Sequence, residues 1–203
     1  MKGNTHRYFI LYKPFDMVSQ FIGTDGSRRL REIDFDFPEG IHAIGRLDSH
    51  SEGLLLLTTN KKVTKLLFES KIPHSRTYIV QVLHKVSDET VQTLRNGVRI
   101  RIKGNVDWIT SPCSVHIIDK PDKLFDVENG LKEFIPHTWL QITLTEGKYH
   151  QIRKMVFALK HRCRRLIRVS IEDLTMGDLA PGEVKELEEA DFFKMLKIEN
   201  YES

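Results

Sequence analysis

Cysteine is scarce in this sequence: Cys113 and Cys163 are the two in 203 residues, 50 positions apart. That spacing excludes a disulfide framework and a cysteine-rich zinc site, and it fits a reduced, cytoplasmic setting. Long apolar runs are missing too. The longest aliphatic run is the four leucines from Leu54 to Leu57, whereas a membrane-spanning helix needs about 20 apolar residues. The amino-terminal MKGNTHRYFILYKPF holds an apolar stretch at 8–12 that stops at Lys13 and Pro14, too short for a signal-peptide core, so export is not expected. Nor is there a charge excess that would name a partner. Lys and Arg number 31 against 28 Asp and Glu, a net charge of +3. No internal repeat or long linker is present. At 40% hydrophobic and 29% charged, the composition is that of an ordinary folded protein and excludes disorder, collagen-like repeats and membrane bundles. A chain of this size can bury roughly 70% of its unfolded surface without a metal or disulfide, in one domain or two small lobes.

The distribution of charge is more informative than its sum. Residues 147–169, GKYHQIRKMVFALKHRCRRLIRV, carry eight basic side chains and no acidic one, leaving the rest of the chain mildly acidic. A local basic band of this kind holds phosphates, or serves as a solvated face. Residues 183–203 show the reverse, with seven acidic and three basic residues around Val184, Leu187, Phe192, Met195 and Leu196. This pattern predicts a solvated, amphipathic closing helix.

Short apolar and period-2 runs predict strands at 8–12, 54–58, 77–83, 114–118 and 139–144. Helical spacing appears at Val63, Leu66 and Leu67, and again at Val91 and Leu94, where Ser87 can cap the start and Gly97 the end. A third helix is expected to carry the basic band, with Ile152, Met155, Val156 and Leu159 as its apolar stripe. Interspersed strands and helices at hairpin-like spacing indicate an α+β fold around a mixed, mainly antiparallel sheet.

Three segments could carry chemistry. Residues 45–60, GRLDSHSEGLLLLTTN, place Arg46 and Asp48 in a turn-rich stretch before a buried strand. Spacing alone leaves Asp48 either as a catalytic carboxylate or as a turn former bonding nearby amides. Glu52, four residues on, leaves a two-carboxylate glycosidase pair conceivable. Residues 145–155, TEGKYHQIRKM, read as a strand end, a glycine turn and a helix start, where free amides and Arg153 favour an anion. In RTYIVQV, Arg76 and Tyr78 head a strand. Tyr78 can stack on an extruded base or simply half-bury itself, tyrosine being a common strand residue.

Together these segments resemble pseudouridine synthases of the RsuA branch, most closely the ribosomal large-subunit synthase E (RluE) type, over nearly the whole chain. YFILYKPFDM, with Lys13 and Pro14, is similar to the family's opening strand, and GRLDSHSEGLLLLTTN to its central motif. RTYIVQV resembles the strand bearing the base-stacking tyrosine, TEGKYHQIRKM the motif bearing the arginine, and RVSIEDLTMG the closing strand region. The resemblance implies the pseudouridine synthase fold with flanking helices and a central catalytic cleft. It makes Asp48 the catalytic residue, Arg153 its ionic partner, Tyr78 the base platform and Ile152 an apolar wall. Arg46, Arg76, Lys154 and His150 are placed with it on the substrate-binding side. Ser51, Arg76 and the Tyr149-His150 pair depart from the residues usual in the family, which bears on substrate context.

The reaction implied is isomerisation of uridine in large-subunit (23S) ribosomal RNA, without cofactor or metal. The expected protein is a cytoplasmic monomer, a single catalytic domain over 1–203 without the amino-terminal S4 domain of many relatives. Its partner is ribosomal RNA or a pre-ribosomal particle, with no membrane. Two alternatives stay open: a non-catalytic RNA-binding or ribosome-assembly module, and a synthase acting on tRNA. Specificity is expected in groove shape and in loops such as 23–31.

Overall fold

The structure is a computed structural model that describes residues 6–68, 73–125, 127, 130–199 and 201. Strands β1 (Tyr8–Lys13), β2 (His42–Ile44) and β3 (Glu52–Thr58) precede helix α1 (Val63–Phe68). Strand β4 (Arg76–Leu83) leads to α2 (Asp88–Asn96), then to β5 (Arg99–Arg101) and β6 (Asp107–Ile109), and on to β7 (Ser114–Ile118) and β8 (His137–Leu144). Helix α3 (Gln151–Ala158) is followed by β9 (Cys163–Ile171), β10 (Leu174–Thr175), β11 (Val184–Leu187) and α4 (Glu189–Met195). The chain divides into two compact units, Met1–His74 with Arg168–Ser203, and Ser75–Ile167.

In the first unit the strands run in the order β11-β1-β3-β9, with β2 on β3 and β10 on β9. The pairings of β1 with β3 and β11, of β2 with β3 and of β10 with β9 are antiparallel. Every residue of β1 and β3 is buried, which is why YFILYK and EGLLLLT read as continuous apolar runs instead of alternating ones. The Tyr8 ring lies 4.8 Å from Phe192 and 5.3 Å from Phe193 of α4. Its hydroxyl bonds to Glu189 in the first turn of that helix and accepts from Asn60 Nδ2.

In the second unit β4, β8 and β7 follow the first part of β9, with antiparallel β4–β8 and β8–β7 pairing. Here the strands alternate. Val80, Val82, Leu140, Ile142 and Leu144 face a core completed by Val91 and Leu94 of α2 and by Ile152, Met155 and Val156 of α3, while Gln81, Gln141 and Thr143 lie in the intervening positions. Each large apolar side chain withdrawn in this way contributes about 1.5–3 kcal/mol. Ser87 caps α2 by accepting from Thr90 N, and Gly97 ends it.

The five strands and the first two helices read from the sequence are β1, β3, β4, β7, β8, α1 and α2, and the α+β class with a mainly antiparallel sheet follows. Two expectations are corrected. The basic band is not one helix: α3 ends at Ala158 and holds Arg153 and Lys154, whereas Arg164, Arg165 and Arg168 lie on β9. Arg165 and Arg168 are buried, donating to Phe125 O at 3.0 Å and Leu54 O at 2.8 Å. Charge alone could not distinguish an arginine facing water from one knitting backbone. Likewise, Val184 and Leu187 belong to β11, not to the closing helix, which begins at Glu189. That segment pairs with the edge of β1 instead.

Gly97 adopts φ +106°, and a methyl group there would press on the Thr110 carbonyl oxygen far inside van der Waals contact. Gly177, at φ +62°, has nothing within 4 Å of that position. Gly177→Ala is therefore expected to lose about 1 kcal/mol from backbone strain alone, and Gly97→Ala at least about 1 kcal/mol more, as measured by urea unfolding. Equal losses would show that strain, not the Thr110 contact, sets the requirement.

Candidate functional site

In the first unit, the loop 45–51 enters β3 and carries Arg46 and Asp48. Gly45 opens it at φ +69°, with the Phe68 ring 2.7 Å from where a side chain would begin. Ser19 Oγ holds Leu47 at both ends of its backbone, accepting from Leu47 N at 3.0 Å and donating to Leu47 O at 2.9 Å. Ser51 N donates to Asp48 O at 2.9 Å, closing a tight turn, and Met17 N donates to Ser49 O at 3.3 Å. Leu47 is thereby turned inward, Asp48 is half-buried, and Arg46 is exposed.

Beneath this loop lies Lys13, which is fully buried. Its ammonium donates to Pro14 O at 2.7 Å, Met17 O at 2.6 Å and Ser49 O at 3.2 Å. Burial pushes its pKa down to about 7; the charges of Glu52, Asp48 and Asp16 pull it upward, and that of buried Arg168 pushes it further down. Glu52 is 1% exposed and acts as a counter-charge to Lys13, which accounts for it without a glycosidase pair. Phe15 stacks on His50 with centroids 5.3 Å apart. In the 23–31 loop, Arg29 turns inward to Asp25 and to Ser27 O at 2.6 Å, leaving Arg28 and Arg31 exposed.

The second unit holds Tyr78, Arg76 and the residues of α3. Tyr78 stands opposite Ile142 in the β4–β8 pairing and is half-buried, packed on the core. Arg76 Nη2 donates to Thr145 O at 3.0 Å, and Nη1 lies 3.1 Å from the position a Gly147 side chain would take. Arg76 therefore buttresses the turn before α3. Glu146 knots that turn: Oε1 accepts from Ser111 N at 2.8 Å and Gln151 Nε2 at 2.7 Å, and Oε2 from Trp108 Nε1 at 3.3 Å. The Lys148 ammonium sits over the Trp108 ring at 3.9 Å.

His150 precedes α3 in the left-handed conformation, φ 55°, which few non-glycine residues adopt. That backbone stacks its ring on Tyr149 at 3.8 Å, and Lys154 Nζ lies 5.2 Å from the centroid of the Tyr149 ring. Ile152 points into the core at 4% exposure, while Arg153 and Lys154 are half-buried. Burial pushes the Cys113 and Cys163 thiols up to about 11, which leaves no ready thiolate. Among the described residues, no cluster of three or more His, Cys, Asp or Glu is arranged for a metal, and no helix is long and apolar enough to cross a membrane.

Asp48 and Arg46 thus share one loop, and Arg76, Tyr78, His150, Ile152, Arg153 and Lys154 share the second unit. The sequence does not mark Lys13, Ser19, Arg168 or Glu146 as parts of a site, and it offers Glu52 only for a glycosidase pair. For Lys13 a signal existed: a lysine ending a fully apolar strand must find acceptors inside the protein.

Comparison with known proteins adds the following. The sequence profile described as RNA pseudouridylate synthase matches residues 7–158. A ribosomal large subunit pseudouridine synthase E of Vibrio parahaemolyticus is 37% identical over 185 residues, 90% of this chain and 74% of that protein. A protein of the same name from Xanthomonas axonopodis pv. citri is 34% identical, covering 85% of this chain and 89% of its own. The crystal structure of a pseudouridylate synthase superposes with a TM-score of 0.76 at 25% identity, covering 94% of this chain and 74% of the other.

The buried lysine generates a stability prediction. With its folded pKa near 7 and its unfolded pKa near 10.4, Lys13 is less protonated in the folded state between these values. Its unfavourable contribution is therefore full below pH 7 and fades as pH rises. Relative to Lys13→Met, the wild type should gain up to about 1.4 kcal/mol per pH unit across that window in urea unfolding. A pH-independent difference would refute the depressed pKa.

Proposed function

The chain belongs to the RNA pseudouridylate synthase family, and on that premise we propose that it isomerises a uridine of large-subunit ribosomal RNA, with Asp48 as the catalytic carboxylate. The names of its large-subunit relatives support that substrate. The observation that carries the choice of Asp48 is its loop. A half-buried carboxylate stands on a backbone pinned by Ser19 and by buried Lys13, so its position is set before substrate arrives.

The chemistry needs little else. The bond from ribose C1′ to N1 breaks, the uracil turns, and a bond from C1′ to C5 forms; the proton lost from C5 is balanced by one gained at N1. Asp48 acts ionised, either attacking the nucleoside or assisting proton removal from the sugar. Arg153 is its ionic partner in this reading. A base inside a helix is out of reach and must be extruded at a cost of a few kcal/mol, offset by stacking on Tyr78, worth about 1–3 kcal/mol. Arg46, Lys154 and His150 contact the substrate, while Arg76 braces the turn before α3 and Ile152 fills the core behind it. The substrate is ribosomal RNA, or a pre-ribosomal particle, in the cytoplasm.

Tritium release from RNA labelled at uracil C5 tests the reading, because joining the sugar to C5 expels the label. Release is expected from large-subunit but not small-subunit transcripts, and Asp48→Asn should reduce it by more than about 1000-fold, the upper range for loss of an acid–base group. An Asp48→Asn protein of near-normal activity would overturn the assignment, and wild-type release from tRNA alone would overturn the substrate.

A further inference from the structure

The hairpin of β5 and β6 is a two-stranded sheet of its own in the second unit. It is built to be stiff. At its base Val98 N donates to Thr110 Oγ1 at 2.9 Å and Thr110 N to Val98 O at 3.0 Å, and Gly97 leaves room for that closure. At its tip Gly104 and Asn105 take positive φ angles of 80° and 62°, and Ile102 N donates to Val106 O at 2.9 Å. One face is anchored: Ile100 is 4% exposed, and its cross-strand neighbour Trp108 is held by Glu146 and covered by Lys148. The same Glu146 accepts from Gln151, two residues before Arg153.

The other face points outward with cationic side chains. Arg99 and Arg101 are 71% and 63% exposed, and Lys103 at the tip is exposed as well. Two residues apart on one strand, the two arginines leave the backbone about 7 Å apart on the same side. Asp107 is the single acid of the hairpin; its carboxylate lies 3.7 Å from Arg99 and 3.4 Å from Arg101. Exposed pairs of that kind are weak and are readily exchanged for a phosphate. Ile109, 65% exposed, stands across from Arg99, an apolar surface beside the charges. Nothing in the proposed chemistry uses these residues.

We infer that the β5–β6 hairpin is a preformed arm that grips the RNA backbone of the substrate, with Arg99, Arg101 and Lys103 on phosphates and Ile109 against sugar or base. The inference rests on the synthase reading and extends it to how RNA is held. Because the arm and the start of α3 share Glu146, RNA held by one is fixed in register with the other.

The test is binding of a large-subunit ribosomal RNA transcript from about 50 to 200 mM KCl, the range over which phosphate contacts are lost. The triple variant Arg99→Gln, Arg101→Gln, Lys103→Gln should weaken binding by about 10-fold or more near physiological salt. It should also flatten the slope of log K against log[salt] by about 2, since each phosphate contact on single-stranded RNA contributes about 0.7. Tritium release at saturating RNA should keep its kcat while KM rises, and Arg99→Lys with Arg101→Lys should restore the slope. Lys85→Gln with Lys132→Gln, exposed lysines elsewhere in the unit, should leave the slope alone. An unchanged slope and affinity in the triple variant, with normal tritium release by wild type, would overturn the arm and leave the synthase reading intact. Equal flattening by the Lys85 and Lys132 pair would overturn it too. Hairpin-dependent binding without any wild-type release would keep the arm and remove the synthase reading, and a wild type that binds no RNA would remove both.

Discussion

A lysine ammonium sealed from water must have its hydrogens received by the protein, and in the first unit Lys13 imposes that condition on everything around it. The strand that delivers it has no exposed residue, so the charge cannot escape along the chain. Carbonyl oxygens of Pro14 and Met17 curl back to meet it, and Ser49 is drawn in from a loop 36 residues further along. The loop so captured is the one that presents Asp48. Buried cations are expensive unless surrounded by acceptors and opposite charge, and Glu52, Asp48 and Asp16 provide the latter. Position and electrostatics of the candidate carboxylate therefore depend on one residue that never reaches the surface.

The second unit solves a similar problem with the opposite sign. Glu146 gathers a loop amide, an indole and a glutamine amide, and so ties β6 and the loop after it to the start of α3. Arg76 fills the space beside Gly147, where a side chain on the glycine would crowd it. Arginine and glutamate here act as mortar. Their counterparts in sequence are indistinguishable from surface charges, because charge records what a residue can bond to and not which partner folding brings.

That distinction governs how much was legible in the sequence. Apolar periodicity located β1, β3, β4, β7, β8 and the first two helices, because those elements bury side chains in patterns that repeat along the chain. Ser87 and Gly97 were readable as caps because capping is local. The three-residue strands β2, β5 and β6 carry too few residues to show a period, and β11 reads as helix because Val184 and Leu187, three apart, have helical spacing. Among the site residues, Asp48, Tyr78 and Arg153 stood out through motifs, while Lys13, Glu146 and Arg168 matter through partners 36, 35 and 114 residues away. Arg76 and Ile152 were read as substrate-facing, yet one braces a turn and the other fills a core.

The division of the chain has a consequence for how the protein is made. Residues 75–167 form one continuous unit, whereas the other unit is assembled from both ends of the sequence. On a ribosome translating about 5–20 residues per second, the amino-terminal segment waits on the order of 5–20 s for β9, β10 and β11 to emerge. During that interval β1 and β3 are exposed apolar strands, and β1 lacks the edge partner that β11 later supplies. The intervening unit has no such dependence, as its pairings among β4, β7 and β8 are complete within it. Synthesis thus favours an order in which residues 75–167 fold first and the other unit closes later, with the nascent protein most in need of a chaperone just before residues 168–203 appear.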